Sequence, residues 1–388
     1  MRVLYAHSFY RMPGGEDRHV RDQVELVSRT HDVELIAASN ADLSDTASTA
    51  IRMTYSRRKK RQILRVIDSF APEVVHIHNA YPSLGPSAIL AAHDRGIPIV
   101  MTIHNMRLRC PNGLMFTQGS LCRRCEAGIY ANAVVHECFP TKKQASAYAG
   151  ALWIHRFVMR LEHRVSRFIA PSDFIHKRLI DWRIEPERVE TIRHFTHGML
   201  ASAAGRVGTY GMFVGRLSME KGADVLLRAL RRAGDPPFRI VGDGPARSAL
   251  ERMAHDLKLE NTTFTGWRTP EALVDLLNGA RYVALPSVWE ENAPLVALEA
   301  LAAGRPLIVS DIGGLPELVE SGSGVVARRG DPHDLADKIR LLVNNDDACA
   351  RASQHASALA RRWLTPEHHL RSLESLYAKL IHDRREAA

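Results

Sequence analysis

The chain has 388 residues, 45% of them apolar, with a formal net charge of +9 at pH 7 and five cysteines. The length holds two or three domains, and the composition is that of a soluble globular protein; no apolar run is long enough to span a membrane, which excludes a transmembrane helix. Arg2-Val3-Leu4-Tyr5-Ala6 begins directly as a strand, without an apolar leader, so a cytoplasmic location is expected.

Taken in order, the first half alternates strand and helix signals. Arg2 to His7 reads as a strand, Met12-Pro13-Gly14-Gly15-Glu16 as a glycine turn, and Asp17 to Ser28 as a helix with Val20, Val24 and Val27 on one face. Further strands are predicted over Asp32 to Ala38, Val74 to His78 and Ile97 to Ile103, with helices from Arg57 to Phe70 and Pro86 to Arg95. An irregular segment carries four cysteines to Pro140. One long helix is then expected to run to about Arg167, followed by strand Phe168 to Ala170, helix Ser172 to Trp182 and strand Val189 to Ile192.

Residues 196–209 read as a linker, and the alternation then restarts. Strands are expected at Tyr210 to Val214, Phe238 to Val241, Thr262 to Thr265, Tyr282 to Leu285 and Pro306 to Ser310, with helices between them and three late helices from Asp331, Ala348 and Pro366. Such alternation predicts two doubly wound, parallel-sheet α/β domains facing across a cleft: 1–195, with a cysteine-bearing insertion over 107–140, and 210–364. A C-terminal helix over 365–388 is expected to pack on one of them.

Basic residues concentrate in the first half, at Arg57-Arg58-Lys59-Lys60-Arg61 and at Arg156, Arg160, Arg164 and Arg167 on a helical spacing. They suit an anionic lipid surface or a phosphorylated substrate, or are simply solvated helix faces. No nucleic-acid-binding motif accompanies them, so no nucleic-acid partner is expected.

Chemistry concentrates at strand-to-helix turns. Glu291 and Glu299 flank the helix start that follows strand Tyr282 to Leu285; Asn292 is a candidate cap and Pro294 suits the first turn. A helix N-terminus favours an anion, and carboxylates accept protons from hydroxyls, so a phosphate flanked by polyols, as in a nucleotide sugar, fits as well as a solvated acidic loop. Gly215-Arg216 with Glu220-Lys221-Gly222 supplies two cations for a diphosphate. Gly242-Asp243-Gly244-Pro245 has only two glycines of a dinucleotide fingerprint, since Arg247 occupies the third position. Gly14 and Gly15 permit close approach to a ligand or form an ordinary turn. His104, at the end of an inner strand, is either a substrate contact or a structural histidine. Cys110, Cys122, Cys125 and Cys138 suggest a structural zinc, with an iron–sulfur cluster or reduced packed thiols as alternatives.

These pieces stand in the order found in one family. The chain resembles the retaining GT-B glycosyltransferases of family GT4 over nearly its whole length. The resemblance rests on Gly215-Arg216 with Glu220-Lys221-Gly222, Gly242-Asp243-Gly244-Pro245, the pair Glu291 and Glu299, Gly313-Gly314-Leu315-Pro316-Glu317, Gly14-Gly15-Glu16, His76-Ile77-His78 and Thr102-Ile103-His104-Asn105. Cys110-Pro111-Asn112-Gly113 and the following CxxC look like a subset of the family.

The resemblance implies that Arg216 and Lys221 hold the donor diphosphate, Glu299 the ribose, and Glu291 the donor sugar. It also implies that His104 lies beside that sugar, that Gly15 and Gly242 line the donor site, and that backbone from Asn292 through Ala293, Pro294 and Leu295 touches sugar and phosphate. It implies a UDP- or GDP-sugar donor, a glycan or lipid-linked acceptor in surface polysaccharide or glycolipid synthesis, peripheral membrane contact, and no metal required for catalysis. The loop Glu291-Asn292-Ala293-Pro294 departs from the common Glu-Gly-Phe-Gly, and His194-Phe195-Thr196-His197-Gly198 stands where Asn-Gly is common. A sugar-nucleotide epimerase of the same fold and a non-catalytic nucleotide-sugar binder are the competing expectations.

Overall fold

The computed structural model describes residues 1–12, 14–40, 47–196 and 207–386, in two compact units. One comprises Met1–Thr117, Cys122–Arg193 and His369–Ala388, the other Gln118–Leu121 and His194–His368. Most of the expected linker, from 197 to 206, and Pro13 of the first glycine turn lie outside the described residues.

The strands in chain order are β1 (Arg2–Phe9), β2 (Asp32–Ser39), β3 (Val74–Ile77), β4 (Ile99–Thr102), β5 (Phe116–Thr117), β6 (Ser120–Leu121), β7 (Arg167–Ala170), β8 (Val189–Thr191), β9 (Tyr210–Val214), β10 (Phe238–Val241), β11 (Thr262–Gly266), β12 (Ala280–Leu285), β13 (Leu307–Ser310) and β14 (Gly324–Ala327). The first unit holds a six-stranded parallel sheet in the order β2-β1-β3-β4-β7-β8, the second one in the order β11-β10-β9-β12-β13-β14. The inner strands are apolar on both faces because helices cover both sides: β4 and β13 are buried throughout. The second order is 3-2-1-4-5-6 in its own count, so the direction of winding reverses between β9 and β12. A crevice at that reversal, outside the strand carboxyl ends, is the expected ligand position.

The helix Pro366–Glu386 carries Leu373, Leu376, Tyr377 and Leu380 into a cluster with Val3, Tyr5, Val74 and Val100 of the first sheet. Among the described residues, no helix is long and apolar enough to cross a membrane.

Two local expectations need correction. The long helix ending near Arg167 stops at Trp153 and continues as one π turn (Ile154–Val158). Arg160 then takes a left-handed conformation (φ 48°), followed by a 3-10 turn over Leu161–Arg164. The chain is redirected where the buried Arg109 guanidinium holds Glu162 and also donates to the Trp182 carbonyl (2.9 Å). Consequently Arg156, Arg160, Arg164 and Arg167 do not form one helical stripe. Arg156 instead bonds the Glu126 carbonyl and Tyr130 hydroxyl, at 3.0 and 3.1 Å. The strand β14 and the helix Ala47–Thr54 were also not expected; β14 is four residues long, glycine-led and only partly buried, a weak period-two signal.

Candidate active site

The second unit assembles its site from four loops at strand carboxyl ends. The loop after β9 ends at Gly222 (φ +68°), where an added Cβ would lie 2.0 Å from the Pro286 carbonyl oxygen after β12. Glycine is therefore what lets these two loops touch. The Val288 amide donates to the Glu220 carbonyl at 2.9 Å and closes the same seam.

Across the seam, Lys221 Nζ donates to Glu291 Oε1 at 2.6 Å, and Ser287 Oγ donates to the same oxygen at 2.7 Å. The Lys221 ammonium also sits 5.3 Å from the centre of the Trp289 ring, within cation–π range. Glu291 is nearly buried, and its backbone is cradled by the loop after β13. The Gly314 amide donates to the Glu291 carbonyl at 2.8 Å, and a Cβ on Gly313 (φ +63°) would come within 2.2 Å of that oxygen.

The helix Leu295–Ala302 starts beside these groups. Asn292 does not cap it: the cap position is Pro294, in extended backbone, and no side chain caps the helix. Its N-terminal dipole faces the strand ends, which suits an anion. Glu299 is buried within this helix, while Arg216 stands exposed at the opening of the loop after β9.

The turn after β10 supports the loop after β9 rather than forming a dinucleotide fingerprint. A Cβ on Gly242 (φ +132°) would stand 1.9 Å from the Gly215 carbonyl oxygen, and the Leu217 amide donates to the Asp243 carbonyl at 2.9 Å. Arg247, at the third-glycine position, pairs with Asp243 at 3.0 Å and Glu251 at 2.8 Å. Lys221, Glu291 and the helix N-terminus are thus brought together, with Gly242 behind them.

The first unit has its own polar cluster. His104, two residues beyond β4, shares a hydrogen bond of 2.8 Å between its Nε2 and His78 Nδ1. His78 stacks on His76 with ring centres 4.4 Å apart. His76 in turn bonds the Tyr377 hydroxyl at 2.6 Å and Thr102 Oγ1 at 2.8 Å. Gln23 reaches Tyr5, His76, His78, His19 and His369 at 3.0–3.4 Å. Burial holds His76 down to about 3, with the nearby His369 adding to it. Burial likewise keeps His78 and His104 well below the usual histidine range, and their histidine neighbours deepen the shift. All three rings are therefore neutral donors and acceptors near pH 7.

Glu16, next to Gly15, is half-buried. It accepts from Tyr10 at 3.0 Å, and burial raises its pKa. Gly14 is in extended backbone (φ −128°), and a Cβ there would meet nothing within 4 Å, so neither strain nor crowding by protein requires glycine at that position.

Sequence reasoning singled out Lys221, Glu291, Glu299 and His104 but missed Ser287, Gln23 and the partnership of His78. His76 and His78 stand two apart on a strand, hence on one face, a pattern visible in the sequence. Gln23 carried no such signal among the valines of its helix. The four expected metal-binding cysteines lie in the first unit and line one small cavity. Burial, with Cys110, Cys122 and Cys138 close by, pushes the Cys125 thiol up to about 12.

Two Rossmann-like units, with a cationic loop beside a helix start at the switch point of the second, define the class of fold. Comparisons narrow this class. The model of glycosyl transferases group 1 matches residues 209–358, and that of glycosyltransferase family 4 matches residues 13–196. The chain is a glycosyltransferase of this GT4 type with the GT-B fold. It is 23% identical to an uncharacterised glycosyltransferase of Methanocaldococcus jannaschii over 94% of each chain. It is 37% identical to the D-inositol 3-phosphate glycosyltransferase of Corynebacterium urealyticum, matching 43% of this chain and 42% of that one. Its fold is shared with Anabaena HepE, solved with UDP and glucose, at a TM-score of 0.70 and 17% identity, over 98% of this chain and 100% of that one.

Proposed function

We propose that the enzyme moves a sugar, with retention, from a nucleoside-diphosphate sugar to a glycan or lipid-linked acceptor in surface polysaccharide or glycolipid synthesis. The observation that carries this is the cluster of Lys221, Glu291 and Ser287 at the uncapped start of helix Leu295–Ala302. The diphosphate takes the helix N-terminus, Lys221 and Arg216, whose charges meet that developing on the leaving group. Glu291 turns to the sugar hydroxyls and Glu299 to the ribose. Backbone from Asn292 through Ala293, Pro294 and Leu295 borders both, and Gly15 and Gly242 line the donor side. The same cations make a metal unnecessary for the transfer step.

In the first unit His104 contacts the donor sugar as a neutral group, held by its bond to His78. The open space at Gly14 supports close approach of a phosphate or acceptor. A UDP-sugar is favoured as donor by analogy with HepE, whose solved complexes hold UDP, UDP with glucose, and UDP-glucose. The helix Arg57–Phe70, with exposed Arg57, Arg58, Arg61 and Arg65, supports docking to an anionic membrane on its cytoplasmic side.

A thermal-shift screen of nucleoside diphosphates and nucleotide sugars tests the donor assignment. One base should raise Tm for both its diphosphate and a nucleotide sugar; a flat screen overturns the assignment. Co-sedimentation with liposomes should rise with anionic lipid, and an unchanged pellet removes the membrane claim.

A further inference from the structure

We propose that Cys110, Cys122, Cys125 and Cys138 form a structural zinc site that fixes the loop segment between β4 and the helix Lys142–Trp153. All four line one cavity of about 10 Å³ within the first unit, space for a single water-sized particle. All four are free thiols. Packing alone accounts poorly for them, because Cys122 and Cys138 are only partly buried and a reduced cysteine serving as filler belongs in the core.

Cationic side chains stand close to the sulfurs. Cys110 Sγ donates to Asn112 Oδ1 at 2.9 Å, a bond that the thiol gives up on losing its proton as a metal binds. Arg124 donates to Cys122 Sγ at 3.5 Å, and Arg109 and Arg123 line the cavity. Guanidinium groups around sulfur are outer partners that suit a tetrathiolate, with its net negative charge.

The segment is anchored at its start by Met106, Cys110 and Met115 in the main core of the first unit, but its later part packs less. Met115, Gln118 and Glu137 take left-handed backbone (φ 48°, 50° and 50°), and the apolar cluster of the later part is small: Cys125, Tyr130, Ala133, Ala149 and Leu152, with Cys138 and Phe139 packed against it. Such backbone persists where neighbouring structure dictates it. A metal crosslink supplies that in a segment with little core of its own.

Among the described residues, no group of three or more His, Cys, Asp or Glu already stands set to hold a metal. Drawing the four sulfurs from the cavity wall to about 2.3 Å from one ion is the rearrangement that the proposal adds. Each thiol releases its proton to solvent as Zn²⁺ binds, and no electron is transferred.

The test is metal analysis of the full-length protein, purified without a metal-affinity tag from zinc-supplemented cells. One zinc per chain is expected, retained through dialysis against chelator and released when a mercurial blocks the thiols. Cys122→Ser with Cys125→Ser should abolish the zinc. Should that variant fail to fold, stripping zinc from the wild type with mercurial should make residues 107–140 sensitive to limited proteolysis, with re-protection after thiol and zinc are restored. Zinc well below stoichiometry with four alkylatable thiols overturns the proposal. So does iron with labile sulfide, or a disulfide found by mass spectrometry.

Discussion

Lys221 Nζ and Glu291 Oε1 are 2.6 Å apart, although one group is assigned to the donor's phosphates and the other to its sugar. The two ends of the proposed ligand site are thus in contact across the seam between the loops after β9 and β12. The pair is partly shielded, with Glu291 nearly buried and Lys221 about one-fifth exposed. Leaving either group alone there is unfavourable. An incoming diphosphate replaces the carboxylate as the ammonium's partner and frees Glu291 for hydroxyl protons, so donor binding exchanges one set of charge-assisted bonds for another.

That exchange predicts opposite effects for the two partners. Lys221→Ala removes a charge-assisted bond to phosphate and should weaken nucleoside-diphosphate binding by roughly 10- to 100-fold, about 1.5–3 kcal/mol. Glu291→Gln removes the competitor for the ammonium. Its diphosphate affinity should equal or exceed that of the wild type, while sugar transfer falls by at least about 100-fold. Titration calorimetry together with turnover checks both. Equal losses of diphosphate affinity in the two variants contradict the assignment.

Glu299 lies buried in the helix Leu295–Ala302 and is assigned to the ribose. Glu299→Gln keeps the shape but removes the charged acceptor of ribose hydroxyl protons. Affinity for the nucleoside diphosphate should fall about tenfold, while inorganic pyrophosphate, which has no ribose, should bind as it does to the wild type. A parallel loss for pyrophosphate would place Glu299 at the phosphates instead.

Much of this site was legible because strand-to-helix turns are written in glycines and charges. Gly222, Gly242 and Gly313 stand where a side chain would strike backbone, and each marks a loop that meets another. The alternation of strands and helices gave the two parallel sheets, since buried parallel strands read as short apolar runs. Long-range pairings were not legible. Nothing local shows that Gln23 lies among Tyr5, His76, His78 and His369, or that Tyr377 bonds His76 across 301 positions. The helix expected through Arg167 failed for the same reason: its redirection is associated with Arg109 and Glu162, which are 53 positions apart.

The buried histidines make stability depend on pH. His76, with a folded-state pKa of about 3, lies below the unfolded histidine value, and His78 and His104 are also shifted down. The unfolded chain therefore binds more protons in the interval between the two values, and stability falls as pH drops below about 6.5. Each histidine contributes a slope of at most about 1.4 kcal/mol per pH unit, and for His76 the loss continues to about pH 3. Urea denaturation at pH 7.5, 6.5 and 5.5 should show little change over the first step and a marked loss over the second. His76→Asn should make that second step smaller, with His78 and His104 carrying the rest. A midpoint independent of pH across this range would mean that the cluster is hydrated and free to protonate.

The strongest test of how backbone holds the donor site is Gly313→Ala, because one methyl group meets two distinct penalties. Gly313 has φ +63°, a conformation that alanine adopts at a cost of about 1 kcal/mol. The new Cβ would also stand 2.2 Å from the Glu291 carbonyl oxygen, the acceptor of the Gly314 amide, so Glu291 or the loop after β13 must move. Gly96 separates the terms: it has φ +60°, but a Cβ there meets nothing within 4 Å. Gly96→Ala should lower stability by about 1 kcal/mol and leave transfer unchanged. Gly313→Ala should lose more stability and at least about 90% of transfer, since even small misplacement of a group that positions substrate is costly. Equal stabilities with full transfer in both variants would show that Glu291 does not depend on the loop after β13 for its position.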